Sequence, residues 1–260
     1  MPEDDRYTIE ILDVALNVID KMASDQEEYH SLSSLARQFN INRSRTFRIL
    51  KTLEGRGFVI YDPKTEMYRL GLKFLAISKN IRNRLNLRKE AEEVLKDLAA
   101  STGDTSYLIV VSGNSAIVVD RYSGDNMLQL AAPIGARLPM YTGAAPKILL
   151  AFMPEEQRER MINDMDLSSY TPNTITNKVS LRKTLAEIRK QGFAVDEQDF
   201  EIGAFAFGAP VFDHEGKIVA GVSITTPTAR CSPERRTELI PLVIEAARKL
   251  SEKLGYLQES

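Results

Sequence analysis

The first seventy residues alternate between short apolar patterns of helical period and polar breaks. Apolar residues recur three or four positions apart from Ile9 to Met22, which predicts an amphipathic helix. Ser31 is a suitable N-cap for a second, shorter helix. Asn42 can cap a third helix from Arg43 to Glu54, and Gly55 suits the left-handed position that follows a helix. The pattern therefore predicts three short helices before the first strand.

The predicted third helix separates its side chains into two faces. At the 100° per residue of an α-helix, one arc collects Thr46, Ile49, Leu50 and Leu53. The opposite arc carries basic and hydroxyl side chains, namely Ser44, Arg45, Arg48, Lys51 and Thr52. Such a face on the second helix of a helix-turn-helix is what reading of the DNA major groove requires. A polar face that only meets solvent has the same pattern, so both interpretations stay open here.

A strand-turn-strand pattern follows this helix directly. Apolar and aromatic residues at 57–61 and 67–70 flank a turn that begins with Asp62-Pro63. A β-hairpin at this place is the wing of a winged helix-turn-helix, and Lys64 at its tip and Arg69 on its return strand could contact the sugar-phosphate backbone. The predicted DNA-binding residues are Asn42, Arg43, Ser44, Arg45, Arg48, Lys51, Thr52, Lys64 and Arg69.

The remaining pattern predicts a helical connection and a second domain rich in strands. The connection, 71–100, is interrupted near Asn86, and Gly103 ends its helix. Strands are predicted at 105–112, 115–123, 127–132, 193–197, 204–212 and 218–225, and further helices near 145–152, from Pro154, from a cap at Ser180 and from Ser232 to Leu254. We therefore expect an α+β protein: a winged helix-turn-helix at 1–71, a helical linker at 72–88 and a domain with a mainly antiparallel sheet at 89–260.

Charge changes this picture because it is distributed unevenly. Residues 1–36 contain two basic and nine acidic residues, a net charge of −7. Residues 37–88 contain thirteen Lys or Arg against three acids, a net charge of +10, although the whole chain carries only −2. A basic block that includes the predicted helix-turn-helix favours a polyanion as partner. A solvated basic surface is the alternative.

Composition limits the class of protein. A chain of 260 residues with 43% hydrophobic and 27% charged residues is typical of ordered globular domains. Apolar runs are much shorter than the roughly 20 residues of a membrane helix, and the acidic start has no secretory signal pattern. We therefore expect a cytoplasmic protein without a membrane partner. The single cysteine, Cys231, and two distant histidines predict neither a disulfide nor a metal site, and no cofactor is expected.

An enzyme is the alternative from another class. It would need a nucleophile with a base, a carboxylate pair or a metal cluster. His30 and His214 are expected to be exposed, and Cys231 has no evident base. Asp196 and Asp199 are three positions apart, which would place them on opposite faces of a strand. No catalytic residue is predicted. An enzymatic domain fused to a DNA-binding head, and a ligand-independent regulator whose C-terminal domain only dimerises, remain as alternatives.

Three stretches of the predicted head and one spaced set of residues in the second domain form a distinctive combination. The stretches of the head are 35–37, 44–50 and 53–58. The spaced set consists of Gly192, Asp196, Asp199, Ala206, Phe207, Gly208, Val211, Phe212 and Asp213. Together they resemble the IclR (isocitrate lyase regulator) type of bacterial transcriptional regulator, whose signature the spaced set follows. Two positions depart from that signature: Asp199 stands where the family has Glu, and Phe207 where it has an aliphatic residue.

This resemblance implies a GAF-like effector-binding domain, a homodimer or dimer of dimers, and binding to double-stranded operator DNA as a repressor or an activator. It also implies a small organic acid as the effector. Carried over position by position, the effector-binding residues are Gly143, Ala144, Ala145, Asp196, Ala206, Ser223 and Thr225.

Elementary geometry supports part of this pocket. A loop of small residues before a helix exposes backbone N–H groups to a carboxylate, although Pro146 contributes none. Ser223 and Thr225 are two apart on a predicted strand, so their hydroxyls share a face. Tight packing of the small residues and a turn role for Asp196 are the competing interpretations.

Overall fold

The computed structural model describes residues 8–82 and 87–257, and for 78–82 the backbone alone. The chain divides into two compact units, Met1–Arg84 and Leu85–Ser260.

The first unit is a helix-turn-helix with a small sheet. Its elements are α1 (Glu10–Ser24), β1 (His30–Ser31), α2 (Leu32–Gln38), α3 (Arg43–Gly55), β2 (Val59–Asp62), β3 (Met67–Leu70) and α4 (Lys73–Arg82). The strands lie in the order β1-β3-β2 and pair antiparallel. The core of this unit joins Val18 of α1, Leu35 of α2, Leu50 of α3 and Tyr68 of β3. The apolar positions of α1, α2 and α3 thus face a common centre.

Two of the predicted caps of this unit are confirmed. Ser31 Oγ accepts the Ser34 N–H at 3.1 Å, and Asn42 Oδ1 accepts the Arg45 N–H at 2.8 Å. The left-handed residue after α3 was predicted wrongly, because Gly55 is still helical and Gly57 has the positive φ of 76°. The Gly57 N–H bonds to the Glu54 carbonyl and the Phe58 N–H to the Leu53 carbonyl, which is the Schellman pattern.

The sequence pattern did not predict the strand β1. His30 pairs with Tyr68 and Ser31 with Met67, so two residues extend the hairpin into a three-stranded sheet. His30 is buried at 4% exposure, and the prediction that it is exposed was wrong. Pairing with β3 covers the imidazole, whose Nδ1 lies 4.0 Å from Asp25 Oδ2.

The second unit is built on one six-stranded sheet. Its strands are β4 (Thr105–Ser112), β5 (Ser115–Tyr122), β6 (Arg137–Pro139), β7 (Ala194–Glu197), β8 (Ala204–Phe212) and β9 (Ile218–Pro227). Its helices are α5 (Leu87–Thr102), α6 (Ala144–Phe152), α7 (Glu155–Asp164), α8 (Lys178–Gln191), α9 (Pro233–Lys253) and a short 3-10 helix (Thr228–Arg230). The strand order is β6-β5-β4-β9-β8-β7, and each neighbouring pair is antiparallel.

Helices cover both faces of this sheet. Alternate residues of β4 show the two faces: Tyr107 and Ile109 pack with α6 and α8, whereas Leu108 packs with α5 and α9. The apolar stripe predicted for α5 faces the sheet, and Leu95 is fully buried. The unit therefore has three layers, with a separate apolar core on each side of the sheet.

The segment 127–132 is not the third strand that its apolar residues predicted. The Gln129 side chain donates to the carbonyls of Gly103, Gly124 and Asn126. The Tyr107 hydroxyl donates to the Leu130 carbonyl and accepts the Ala132 N–H, at 2.8 and 3.0 Å. The Tyr107 hydroxyl thus binds two backbone groups of this segment that a neighbouring strand would have paired, and Gln129 ties the segment to the loops before it. The strand beside β5 is β6.

Helix ends in this unit agree with most of the predictions. Gly103 and Gly192 follow α5 and α8 with φ of 73° and 81°. Ser232 caps α9 by accepting the Arg235 N–H. The cap of α8 is Asn177 and not Ser180, because Asn177 Oδ1 accepts the Ser180 N–H and the helix already begins at Lys178. The predicted interruption near Asn86 lies outside the described residues.

Leu250→Ala should destabilise the second unit by about 2.5–5 kcal/mol, because Leu250 is fully buried between α9 and the sheet and the substitution leaves a cavity. Leu257→Ala is the matched control, since Leu257 is 87% exposed, and should change stability by less than about 0.5 kcal/mol. Urea unfolding followed by circular dichroism measures both. Equal effects of the two substitutions would contradict the packing of α9.

Candidate DNA-binding surface and effector cavity

Helix α3 presents a polar arc and a buried arc. Thr46, Ile49 and Leu50 are buried, and the Thr46 hydroxyl donates to the Asn42 carbonyl. On the other arc Ser44, Arg48, Lys51 and Thr52 are exposed and Arg45 is half-buried, and at the start of the helix Asn42 and Arg43 are exposed too. Asn42, Ser44, Arg45, Arg48 and Thr52 line one concave surface together with Ile11, Leu12 and Ala15 of α1. The predicted reading surface therefore faces outward.

Several basic side chains of this arc are already engaged within the unit. Arg43 Nη1 donates to Ser33 Oγ at 2.7 Å, Arg45 Nη2 lies 3.0 Å from Glu10 Oε1, and Lys51 Nζ lies 2.7 Å from Glu54 Oε2. For Arg48 the described residues provide no ion-pair partner, and its carbonyl accepts the Thr52 hydroxyl at 2.8 Å. Arg48 is thus the basic side chain of this arc that is most available to an external acceptor.

Hydrogen bonds to the carboxylate of Asp62 stabilise the turn of the wing. Asp62 accepts the Lys64 N–H at 2.9 Å and the Thr65 hydroxyl at 3.0 Å, and these bonds lower the pKa of Asp62. Lys64 is exposed at the tip. Arg69 lies on β3 opposite Ile60 and is half-buried. The wing residues predicted to contact DNA are therefore presented at the tip and on the return strand.

The seven predicted effector-binding residues line one cavity in the second unit. Its volume is about 320 Å³. Gly143, Ala144 and Ala145 belong to the start of α6, and Asp196, Ala206, Ser223 and Thr225 belong to β7, β8 and β9. The strand register brings the second group together, since Asp196 pairs with Ala206 and Ala206 with Thr225.

The start of α6 supplies backbone donors to this cavity. Gly143 precedes the helix with a φ of 71°, and Ala144 and Ala145 form its first turn, where the N–H groups have no acceptor within the helix. This turn lies close against the sheet: a Cβ on Gly208 would be 3.0 Å from the Ala145 nitrogen, and one on Gly221 would be 3.0 Å from the Ala145 Cβ. The glycines thus allow the helix end to form a cavity wall.

Polar groups of the sheet face the same space. Ser223 is only 3% exposed, and it belongs to the cavity lining together with Thr225 on the same strand. A hydroxyl can both donate and accept a hydrogen bond. Ser223 can therefore bond to a polar group placed in the cavity.

Further lining residues were not found from the sequence. They include Tyr107, Phe200 and Glu201, together with Ile109, Val118, Leu130, Ala131, Ala132, Leu138, Pro146 and Ala204. The sequence predicted that Tyr107 lies on a strand, but it did not predict that its ring lines the cavity. Phe200 and Glu201 lie after β7, and only their place inside the family signature could have indicated them. None of the described lining residues is Lys, Arg or His.

Asp196 and Asp199 are neighbours, and the prediction that they lie on opposite faces was wrong. The strand β7 ends at Glu197, and Gln198 has a φ of 62°, so the chain turns between the two aspartates. Asp196 Oδ1 accepts the Asp199 N–H at 2.7 Å. Asp199 in turn accepts the Gly143 N–H at 2.6 Å and forms a buried ion pair with Lys147. Asp199 thus holds the start of α6 beside Asp196.

The comparisons with known proteins agree with both parts. Residues 11–63 match the model of the IclR helix-turn-helix domain. Residues 80–252 match that of the bacterial transcriptional regulator IclR C-terminal domain. The chain belongs to the IclR family. Members of this family are DNA-binding transcriptional regulators, and the predicted α+β fold with a winged helix-turn-helix is confirmed.

Individual relatives extend over most of the chain. HTH-type transcriptional regulator KipR of Bacillus subtilis is 33% identical over 87% of this chain and 90% of that protein. Transcriptional repressor IclR of Escherichia coli is 30% identical over 88% of this chain and 84% of that protein. The structure of Thermotoga maritima IclR is 32% identical, with a TM-score of 0.63, and the match covers 96% of this chain and 100% of that one. The structure of Agrobacterium tumefaciens repressor BlcR has a TM-score of 0.82 and covers 96% of this chain and 99% of that one. Its identity is 21%, so this match supports the fold alone.

These relatives are regulators, not enzymes. In residues 8–82 and 87–257, no helix has both the length and the apolar character that a bilayer span requires. The same residues bring together no group of three His, Cys, Asp or Glu side chains suited to a metal ion.

Asn42→Ala should destabilise the first unit by about 1 kcal/mol, because the cap of α3 loses its acceptor. Asn42→Asp keeps that acceptor and should retain the stability of the parent protein. Thermal unfolding by calorimetry compares the two variants. If Asn42→Ala unfolds like the parent, Asn42 does not cap α3.

Proposed function

We propose that this IclR-family regulator binds a double-stranded operator through α3 and the wing, and that a small carboxylate in the cavity of the second unit modulates this binding. The observation that supports the DNA surface is the exposed basic arc of α3 opposite a buried apolar arc. The DNA-contacting set is the one predicted from the sequence, with Arg48 as the residue most available to a base edge or phosphate.

The cavity supports the effector part of the proposal. It combines the N–H groups at the start of α6, which suit an anion, with the buried hydroxyl of Ser223 and with apolar walls. Its volume of about 320 Å³ lies at the lower end of small-molecule sites. A small organic acid with an apolar portion fits this chemistry. The division into a head at 1–71, a linker at 72–88 and an effector domain at 89–260 stays a prediction.

We also infer a homo-oligomer, a dimer or a dimer of dimers. The support is the set of exposed apolar side chains of the first unit outside the proposed DNA surface, which includes Ile9 and Leu16 in or beside α1 and Leu72 and Leu75 in or beside α4. Exposed apolar patches of this kind mark protein interfaces. Sedimentation of the full chain measures the oligomeric state, and a monomer at micromolar concentration would contradict this inference.

Arg48→Ala should weaken binding to DNA from the region upstream of the gene by about tenfold to a hundredfold, the loss of ~1–3 kcal/mol that one specific contact supplies. Fluorescence anisotropy at fixed salt measures the affinity. Arg56→Ala is the matched control, because Arg56 is exposed beyond the last residue of α3 and outside the reading arc. The control should stay within about twofold of the parent. Equal losses in both variants would show that total charge, not the α3 surface, determines binding.

Ser223→Ala should abolish or strongly reduce the response of DNA binding to small carboxylates while DNA affinity without them stays unchanged. The reason is that the variant removes a hydroxyl that faces the cavity. Ser112→Ala, at the far end of β4 and outside the cavity lining, is the matched control. The titration is repeated with acetate, glycolate, lactate and butyrate. An unchanged response in Ser223→Ala would remove Ser223 from the effector site.

A further inference from the structure

Three ionisable side chains lie buried together at one wall of the effector cavity. Asp196, Asp199 and Lys147 are each 4% exposed. Asp199 forms the ion pair with Lys147 and also accepts the Gly143 N–H, so both of its oxygens are bonded to donors. Asp196 receives one N–H, from the backbone of Asp199, and its side chain lines the cavity. The cluster thus contains two carboxyl groups and one ammonium group.

Charge balance determines which of these carboxyl groups keeps a proton. The Lys147 ammonium neutralises Asp199, and nothing comparable neutralises Asp196. Burial, assisted by the hydrogen bond and the charge of neighbouring Asp199, raises the pKa of Asp196 to about 8, and Lys147 opposes this shift only in part. Asp196 is therefore a neutral carboxylic acid near pH 7.

The other polar groups that face Asp196 do not share this behaviour. On the sheet side, Ala206, Ser223 and Thr225 carry no charge. Tyr107 on β4 stays neutral over the relevant pH range because burial raises the pKa of its hydroxyl above the ordinary value of 10. On the loop after β7, Glu201 is exposed and lines the same cavity, and from α6 the charged neighbour is Lys147. Asp196 is thus the buried group whose charge changes near pH 8.

We propose that the cavity takes up its carboxylate effector only with the Asp196 carboxyl protonated, so that effector binding is linked to proton retention. This inference rests on the proposed effector function of the cavity. An ionised Asp196 would add a negative charge beside the anion in a cavity that Glu201 also lines and whose described lining contains no Lys, Arg or His. Like charges in such a buried space repel strongly.

The direction of the pH dependence follows from this linkage. Below about pH 7, Asp196 is protonated in the free protein and effector affinity is at its maximum. Above about pH 8, each molecule that binds must also take up a proton, and affinity should fall about tenfold for each pH unit. The effector itself stays ionised throughout, since simple carboxylic acids lose their proton near pH 4.

Asp196→Asn tests the proposal because the amide keeps the shape and the neutrality of the protonated acid. Isothermal titration with acetate, glycolate, lactate and butyrate from about pH 6.5 to 9.5 should give a falling affinity for the parent protein and a flat profile for Asp196→Asn. Calorimetry above pH 8 in two buffers of different ionisation enthalpy should show uptake of up to one proton by the parent. Ser223→Ala should bind more weakly at every pH but keep the slope of the parent.

A measurement without ligand distinguishes failure of the proton linkage from failure of the proposed effector function. Carbon NMR of aspartate carboxyl groups should show one resonance that titrates near pH 8 in the parent and is missing in Asp196→Asn. Without that resonance the proposal is wrong. If it is present and carboxylates bind equally at all pH values, the proton linkage fails and the effector function stands. If no carboxylate binds at pH 6.5, where Asp196 is neutral, the effector function itself fails, and with it the linkage.

Discussion

The close packing of the first turn of α6 against the sheet is the constraint on which the proposed effector cavity depends. Gly208 and Gly221 lie under this turn, and a side chain at either position would meet Ala145 at 3.0 Å. From the loop after β7, Asp199 bonds to Gly143 just before the turn and to Lys147 just after its beginning. The helix end is therefore fixed by two hydrogen-bonded contacts and packs against two glycines of the sheet. Gly143, Ala144 and Ala145 thus form one wall of the cavity.

The packing of α6 on the sheet also gives a reason for the buried ion pair between Lys147 and Asp199. A buried Lys-Asp pair is an inefficient source of stability, because desolvation offsets much of its attraction. Its position suggests another role: it commits Asp199 to holding α6 and leaves Asp196 as the carboxyl group that faces the cavity. The shorter Asp199, where the family signature has Glu, changes the reach of this link by one methylene. The same pair of residues thus connects the geometry of the cavity wall with the charge inside it.

Local rules were sufficient for much of the fold. The helix end at Gly103 and the caps Ser31 and Asn42 depend on residues a few positions apart, and the structure has each of them. The seven cavity residues came instead from the family resemblance, since no periodic pattern brings α6 to β7 and β9. Their meeting around one cavity depends on strand register and on the glycines beneath α6.

The errors arose where distant groups override a local pattern. Segment 127–132 has strand-like residues, but Tyr107 binds its backbone from another strand. His30 is polar and follows an acidic stretch, but it pairs with Tyr68, 38 positions later. Asp196 and Asp199 meet because the strand ends between them, which three-residue spacing does not reveal. A sequence pattern records neighbours along the chain, and these contacts are between residues that only the tertiary structure brings together.

The ion pairs of the reading surface bear on specificity. Exposed pairs such as Arg45 with Glu10 and Lys51 with Glu54 are worth only about 0–1 kcal/mol, so a phosphate in the correct register can replace them at little cost. The acids nevertheless reduce the net field that non-specific DNA experiences, because that binding depends on total charge. Arg48 has no such partner in the described chain, so in the proposed complex with DNA it would give up no ion pair. Acidic residues close to a basic surface therefore lower affinity for random DNA more than affinity for an operator, which increases the ratio between the two.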